Sequence, residues 1–276
     1  MAITLTTFQG RCGDRNGKGT PGARALAKKL AKYLTLQPEI IGKSTPAAYE
    51  GWEAELKASR AGLRELSEHL AAIVENGTIP VTTIPRCTAA LATIPVIAQQ
   101  YPDACIIWFD AHPDLNTPEN TASGYLGGMV LAAAAGLWES GLGKGLKLEN
   151  IALAGARDID PPEQELISKA ALPALSPSEL NPQSMLDALA GRPVYIHIDC
   201  DVFDPSELPA EYVCPNGITM AQLHSVFDAL ATRGDIIGLE ISEFETQETV
   251  TEQNVLATQL VNALSPVLNY LRNKTT

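Results

Sequence analysis

Two runs in this chain are apolar on both faces: ACIIWF at 104–109 and PVYIHI at 193–198. A strand with one face in water alternates polar and apolar residues. A run that does not alternate must be covered on both sides, which is the situation of parallel strands packed between helices. The predicted strands are Ile3–Phe8, Glu39–Ile41, Pro80–Ile84, Ala104–Asp110, Asn150–Ala154, Val194–Asp199 and Asp235–Ile241. Helical patterns fall between them, at 21–34, 49–76, 88–100, 161–170, 177–189, 219–232 and 249–272. Ser176, Pro177 and Glu179 read as an N-cap, a first helical position and a capping box, and Thr219 reads as a second cap. Strand–helix alternation implies right-handed crossovers and one doubly wound, mostly parallel sheet with helices on both faces. No repeat, low-complexity segment or linker divides the chain, and Gly141–Gly145 reads as a loop, so residues 1–276 are expected to form a single α/β domain.

Ligands of such sheets bind beyond the carboxyl ends of the strands. Chemistry-bearing residues collect at those positions. In WFDAHPDLNTP, Trp108 to Pro118, an apolar strand runs into Asp110, His112 and Asp114. A spacing of two puts them on one face of an extended chain. In YIHIDCDVFDP, Tyr195 to Pro205, a second strand ends in Asp199 and Asp201, with Asp204-Pro205 as a turn. A third strand, IIGLEISEFE, leads to Glu243. Converging carboxylates repel one another and lose their hydration, and divalent cations remove that penalty. Oxygen-rich donors with a little nitrogen favour manganese or magnesium over zinc, and two ions about 3.5–4 Å apart can ionise water and polarise a substrate. A single Asp-x-Asp at a strand end is ordinarily a loop cap; three such strand ends together point to metal.

The remaining candidates read as structure. His197 lies deep in its strand as a core or supporting histidine, and His69 and His224 sit on helical stretches as packing or surface residues. Gly19–Ala23 (GTPGA) lacks the Lys-Ser/Thr ending of a phosphate loop and reads as a loop into a helix.

Charge narrows the partners. With 32 acidic and 20 basic residues the formal net charge is -12. Phosphates would be repelled, so neither nucleic acid nor an anionic membrane is an expected partner. The five cysteines, Cys12, Cys87, Cys105, Cys200 and Cys214, are scattered and lack CxxC spacing, which argues against a disulfide framework or a structural zinc site. The opening MAITLTTFQG has no basic segment ahead of an apolar one, so the cytoplasm is the expected location.

These motifs resemble those of the arginase family, the ureohydrolases. DAHPDLNTP, HIDCDVFDP and GLEISEFE match the family's signatures in order and spacing from about residue 80 to 245. The resemblance implies a two-manganese centre and a homo-oligomer, a trimer or hexamer. It makes Asp110 and Asp199 the metal bridges, gives Asp114 to one ion, and gives His112 and Asp201 to the other. It sets Glu243 against the guanidinium-like group of an amino-acid substrate. Asn116 and Ser123 stand where the family holds the α-carboxylate. RDIDPPE supplies Asp158, Asp160 and Glu163 near the α-amino group, although the same stretch also reads as a strand-to-helix turn with acids near a helix N-terminus.

Two departures qualify the resemblance. Most ureohydrolases carry Gly-Gly-Asp-His before the first metal motif, the histidine being a ligand. Here the segment is TIPRCTAALATIP, and Cys87 takes that place. It reads either as a thiolate ligand, softer than manganese prefers, or as a buried residue at a helix start. Gly127 stands where arginases have a proton-shuttling histidine. A glycine moves no protons, so ordinary arginine hydrolysis should suffer, and a less basic guanidine less so. The Cys87 change and the GYLGGMVL run resemble the branch of the family that hydrolyses N-ω-hydroxy-L-arginine to L-ornithine and hydroxyurea in D-cycloserine biosynthesis. In the expected mechanism Asp114 orients the attacking water and handles its proton, while Glu243 anchors the planar group. The alternatives are an ordinary arginase, another guanidino- or formimino-acid hydrolase, or a metal-depleted binding module without activity.

Overall fold

The computed structural model describes residues 2–274. Its strands are β1 (Ile3–Phe8), β2 (Glu39–Ile41), β3 (Ile79–Thr83), β4 (Cys105–Phe109), β5 (Ile151–Ala154), β6 (Ala174–Leu175), β7 (Val194–Asp199) and β8 (Ile236–Ser242). Its helices are α1 (Gly19–Leu34), α2 (Trp52–Glu75), α3 (Ala90–Gln100), α4 (Val130–Ala134), α5 (Pro161–Ala170), α6 (Pro182–Leu189), α7 (Met220–Arg233) and α8 (Val250–Asn273). The strands form one sheet in the order β2-β1-β3-β8-β7-β4-β5-β6, and every neighbouring pair is parallel.

Strand alternation divides the interior into two cores. From β4, Cys105, Ile107 and Phe109 face the layer that holds α1, α6, α7 and α8. Ile106 and Trp108 face α2, α3, α4 and α5. Both layers exclude water, and each fully buried Leu, Ile or Phe contributes roughly 1.5–3 kcal/mol. This two-sided burial is the reason the central strands show no polar alternation. Among the described residues no helix is long and apolar enough to cross a membrane.

Thr219 caps α7 as its sequence predicts, its side chain accepting from Gln222 N at 3.1 Å. Three local expectations are corrected. Ser176 and Glu179 do bond, at 2.6 Å, but they close a turn and not a helix. α6 begins at Pro182, where Asn181 accepts from the amides of both Gln183 and Ser184. An Asn cap with proline at the first helical position is an equivalent start, and Leu180 is drawn into the core just before it. The stretch Gly19–Ala23 is the first turn of α1, not a loop, and Gly22 sits where an added Cβ would lie 1.8 Å from the Phe244 carbonyl oxygen. The two-residue β6 and the short α4 are too brief to leave a periodic pattern.

The order β3-β8-β7-β4 is what assembles the site. Cys87 follows β3, Asp110 follows β4, Asp199 ends β7 and Glu243 follows β8. Four adjacent strands therefore deliver their ends to one place.

Candidate active site and metal centre

At the end of β4, Asp110 is held from two sides. Trp108 Nε1 donates to its Oδ2 at 3.0 Å, and the His112 amide donates to its Oδ1 at 2.7 Å. The His112 ring then sits between two carboxylates, its Nδ1 3.3 Å from Asp110 and 3.1 Å from Asp201. At the end of β7, Asp199 Oδ1 accepts from the Asp201 amide at 2.7 Å, and Asp201 Oδ1 accepts from the Ala111 amide at 3.1 Å. The two motifs thus brace one another across β4 and β7.

Asp114 and Glu243 adopt left-handed backbone angles, φ 52° and 59°. Non-glycine residues in that region carry strain of order 1–3 kcal/mol. Asp114 is 5% exposed, and its Oδ2 finds no hydrogen-bond partner among the described residues. Glu243 Oε1 accepts from the Cys87 amide at 3.0 Å, and its other oxygen is bound by Arg86 Nη1.

Cys87 lies at the centre of the cluster. Its Sγ is 2.8 Å from Asp199 Oδ2, 3.0 Å from Ser242 Oγ, 3.2 Å from His197 Nε2 and 4.0 Å from Asp110 Oδ2. His197 is the structural support its depth in the strand suggests. Its ring stacks on Trp108, its cross-strand partner, at 3.5 Å, and its Nδ1 meets Glu240 Oε1 at 2.7 Å. Glu240 is fully buried and also accepts from Thr93 at 2.7 Å and Tyr195 at 3.1 Å.

The electrostatics are those of a site suited to cations. Burial first, then the neighbouring carboxylate charge of Asp201, pushes Asp110 up to about 8. Burial and then Asp110 drive Asp114 well above the carboxylate range, and burial and then Asp201 do the same to Asp199. Burial alone would favour a neutral His112, but Asp110 and Asp201 overrule it and hold the ring's pKa far above normal. Burial likewise opposes ionisation of Asp201, yet the His112 ring holds it below the usual value. Burial, then Asp199, pushes the Cys87 thiol well up.

Three sets of ligand atoms gather within 4.8 Å: Cys87, Asp110 and His197; Cys87, Asp199 and Glu243; Asp110, His112 and Asp201. Desolvated carboxylates crowded this closely fit divalent ions, and the oxygen-dominated donor set suits hard ones. Asp114 stands outside these three sets but on the same cavity.

That cavity has a volume of about 230 Å³. Cys87, His112, Asp114, Asn116, Ser123, Asp158, Asp160, Glu163, Asp199, Asp201 and Glu243 all line it, together with Gly127. Asp110 alone of the residues marked in the sequence lies behind the wall. At the far end Asn116 donates to Asp160 Oδ2 at 2.9 Å, and Asn116 Oδ1 has no partner among the described residues. Ser123 and Asp158 are exposed at the mouth. Glu163 accepts from the Leu115 amide at 2.8 Å and the Asp160 amide at 3.0 Å, tying the α5 cap to the loop after β4. Burial first raises its carboxyl to about 7.

Sequence reasoning missed several residues. Arg86, beside Cys87, is fully buried and binds Glu245 at 2.6 Å, Asp14 at 2.8 Å, Glu211 at 3.1 Å and Glu243. Arg157 donates to six backbone carbonyls, including those of Asp201, Val202 and Cys214, and so pins the loop after β7. Glu240 carried a signal, a lone carboxylate in an apolar strand. Tyr125 and Tyr212, also on the cavity wall, carried none.

An all-parallel sheet whose central strand ends pool buried carboxylates in one cavity defines a metal-suited site of an α/β protein. Residues 10–265 match the arginase family, and the chain belongs to it. It is 41% identical to N(omega)-hydroxy-L-arginine amidinohydrolase of Streptomyces lavendulae, over 87% of this chain and 88% of that one. It is 28% identical to an arginase of Bacillus subtilis, over 68% of this chain and 69% of that one. The crystal structure of arginase from Bacillus subtilis shares its fold with a TM-score of 0.82 at 24% identity, covering 96% of this chain and 98% of that one. The protein is a hydrolase of amidino carbon–nitrogen bonds.

Proposed function

We propose that this enzyme hydrolyses N-ω-hydroxy-L-arginine to L-ornithine and hydroxyurea at a two-manganese centre. The observation that carries the substrate is Gly127: a glycine lines the cavity where the family resemblance calls for a proton-shuttling histidine. The only histidine lining the cavity among the described residues is His112, already engaged by Asp110 and Asp201. A less basic guanidine needs such a shuttle least. The 41% identity to the Streptomyces lavendulae enzyme supports the same reading.

Cys87, Asp110, His112, Asp114, Asp199 and Asp201 would hold the ions. When bound, such a pair supplies ionised water and an electrophile at neutral pH. Asp114, with an unpartnered buried oxygen, would take the water's proton and pass it to the departing amine. Glu243 would hold the planar amidine by charge-assisted hydrogen bonds. Asn116 and Ser123 would hold the α-carboxylate, with Asp158 and Asp160 near the α-amino group. Glu163 would act there chiefly by fixing Asp160 through its amide.

Parallel assays of hydroxyarginine and arginine with added manganese test the substrate. Vigorous arginine turnover without hydroxyarginine turnover would reject it in favour of an ordinary arginase. Metal analysis tests the cofactor: two manganese per chain supports the reading, and none would make the protein a binding module. A trimer or hexamer in the cytoplasm completes the proposal, and light scattering on purified protein checks its size.

A further inference from the structure

Tyr125 lines the cavity, and nothing above gives it a role. We infer that Tyr125 takes over the space of the missing residue-127 side chain and offers its hydroxyl to the hydroxylated end of the amidine, so selecting the substrate. This rests on the substrate proposed above.

The steric half comes from Gly127. A Cβ built there would lie 2.4 Å from Tyr125 Cε1 and 3.2 Å from Cζ. Real Cβ atoms do not approach a ring that closely. Gly127 has no left-handed φ, so space and not backbone angle demands the glycine. The absence of a side chain at 127 and the presence of a phenol at 125 are therefore one feature.

The ring is braced by its neighbours. Tyr49 Oη donates to the Gly124 carbonyl at 2.5 Å and accepts from the Leu126 amide at 3.0 Å, clamping the backbone on both sides of Tyr125. The Arg15 guanidinium lies 4.3 Å from the Tyr125 ring centroid and 4.5 Å from that of Tyr49. The Tyr212 ring packs 5.5 Å away.

The polar half comes from the hydroxyl. Tyr125 is 8% exposed, and its Oη has no hydrogen-bond partner among the described residues. A buried, unpaired hydroxyl costs about 1–3 kcal/mol. The atom is closed off from the cavity surface, so a ligand removes that penalty by pressing the wall aside to meet it. Burial and the nearby charge of Glu243 keep the phenol protonated, so it is available as a donor. An arginine guanidinium has donors only, and leaves the phenol proton unmatched. A hydroxylated nitrogen brings an oxygen that accepts it. Sites built to bond a substrate hydroxyl reject the analogue that lacks one.

Tyr125→Phe keeps the ring and deletes the donor. In the manganese-loaded enzyme it should lower kcat/KM for hydroxyarginine by at least about tenfold and for arginine by less than about threefold, with metal content unchanged and a melting temperature that holds or rises, since an unpaired buried hydroxyl has been removed. Equal losses on both substrates, or unchanged selectivity in an enzyme that prefers hydroxyarginine, overturn the inference alone. A wild type that turns over only arginine overturns the substrate reading and, with it, the hydroxyl half. The steric half has its own readout. Gly127→Ala should lower the melting temperature, and the loss should shrink in a Tyr125→Ala background; strictly additive losses overturn it.

Discussion

Replacing Arg86 by methionine tests whether the acidic cluster depends on a single internal cation. The guanidinium is fully buried and joins four carboxylates, those of Asp14, Glu211, Glu243 and Glu245. Asp14 and Glu211 are 12% and 20% exposed and can recover some hydration; Glu243 and Glu245, at 4% and 6%, cannot. Removing one partner of a buried ion pair costs about 3–5 kcal/mol. In a chain of this size that is a fall of roughly 6–20 °C in melting temperature. Buried Glu243 can escape the penalty only by taking up a proton. Even beside Arg86, burial raises Glu243 to about 7. Without Arg86 its pKa rises further, so the deficit should be largest near pH 8 and shrink toward pH 5. Thermal unfolding of wild type, Arg86→Met and Arg86→Lys at both pH values reads this directly, with lysine expected to restore part of the loss through one charge without the fork. A methionine variant within about 1 kcal/mol of wild type at pH 8 would refute the reasoning, as would a deficit that grows on acidification.

Three further outcomes follow from buried charge. Asp110 titrates near 8, and Glu163 and Glu243 near 7, all raised from ordinary carboxylate values. The folded, metal-free chain therefore holds protons that the unfolded chain has released, so its stability should fall as pH climbs from about 4 to about 8. Manganese must expel those protons, and calorimetry in buffers of differing ionisation enthalpy should detect their release at pH 7; a buffer-independent heat would contradict this. Glu240→Ala strands the donors of His197, Thr93 and Tyr195, and should destabilise the protein by at least about 3 kcal/mol in urea unfolding; a loss under about 1 kcal/mol would mean the network carries little.

The fold was legible because the central strands are covered on both faces, and a strand such as Ala104–Asp110 records that cover in every residue. The carboxylate cluster was legible for a related reason: Asp110, Asp199 and Glu243 each follow an apolar run, so position along the strand already implies depth. What was not legible depended on burial in loops. Arg86 is a charge in an irregular segment, and no periodicity tells that it is fully enclosed. The Ser176 cap failed because Asn181-Pro182, five residues on, carries the same start signals and the helix begins there. Gly127 read as a loss, since the sequence does not reveal that the ring of Tyr125, two residues earlier, fills the space.

Asp114 and Glu243 turn their backbones into a region that glycine would occupy freely. Glycine at either position would relax the chain and make it hardier to heat, while emptying the pocket of a carboxylate it needs. Improvement of this enzyme for endurance therefore pulls against turnover at these two positions, and gains in robustness have to be sought in the outer helices, away from the strand ends.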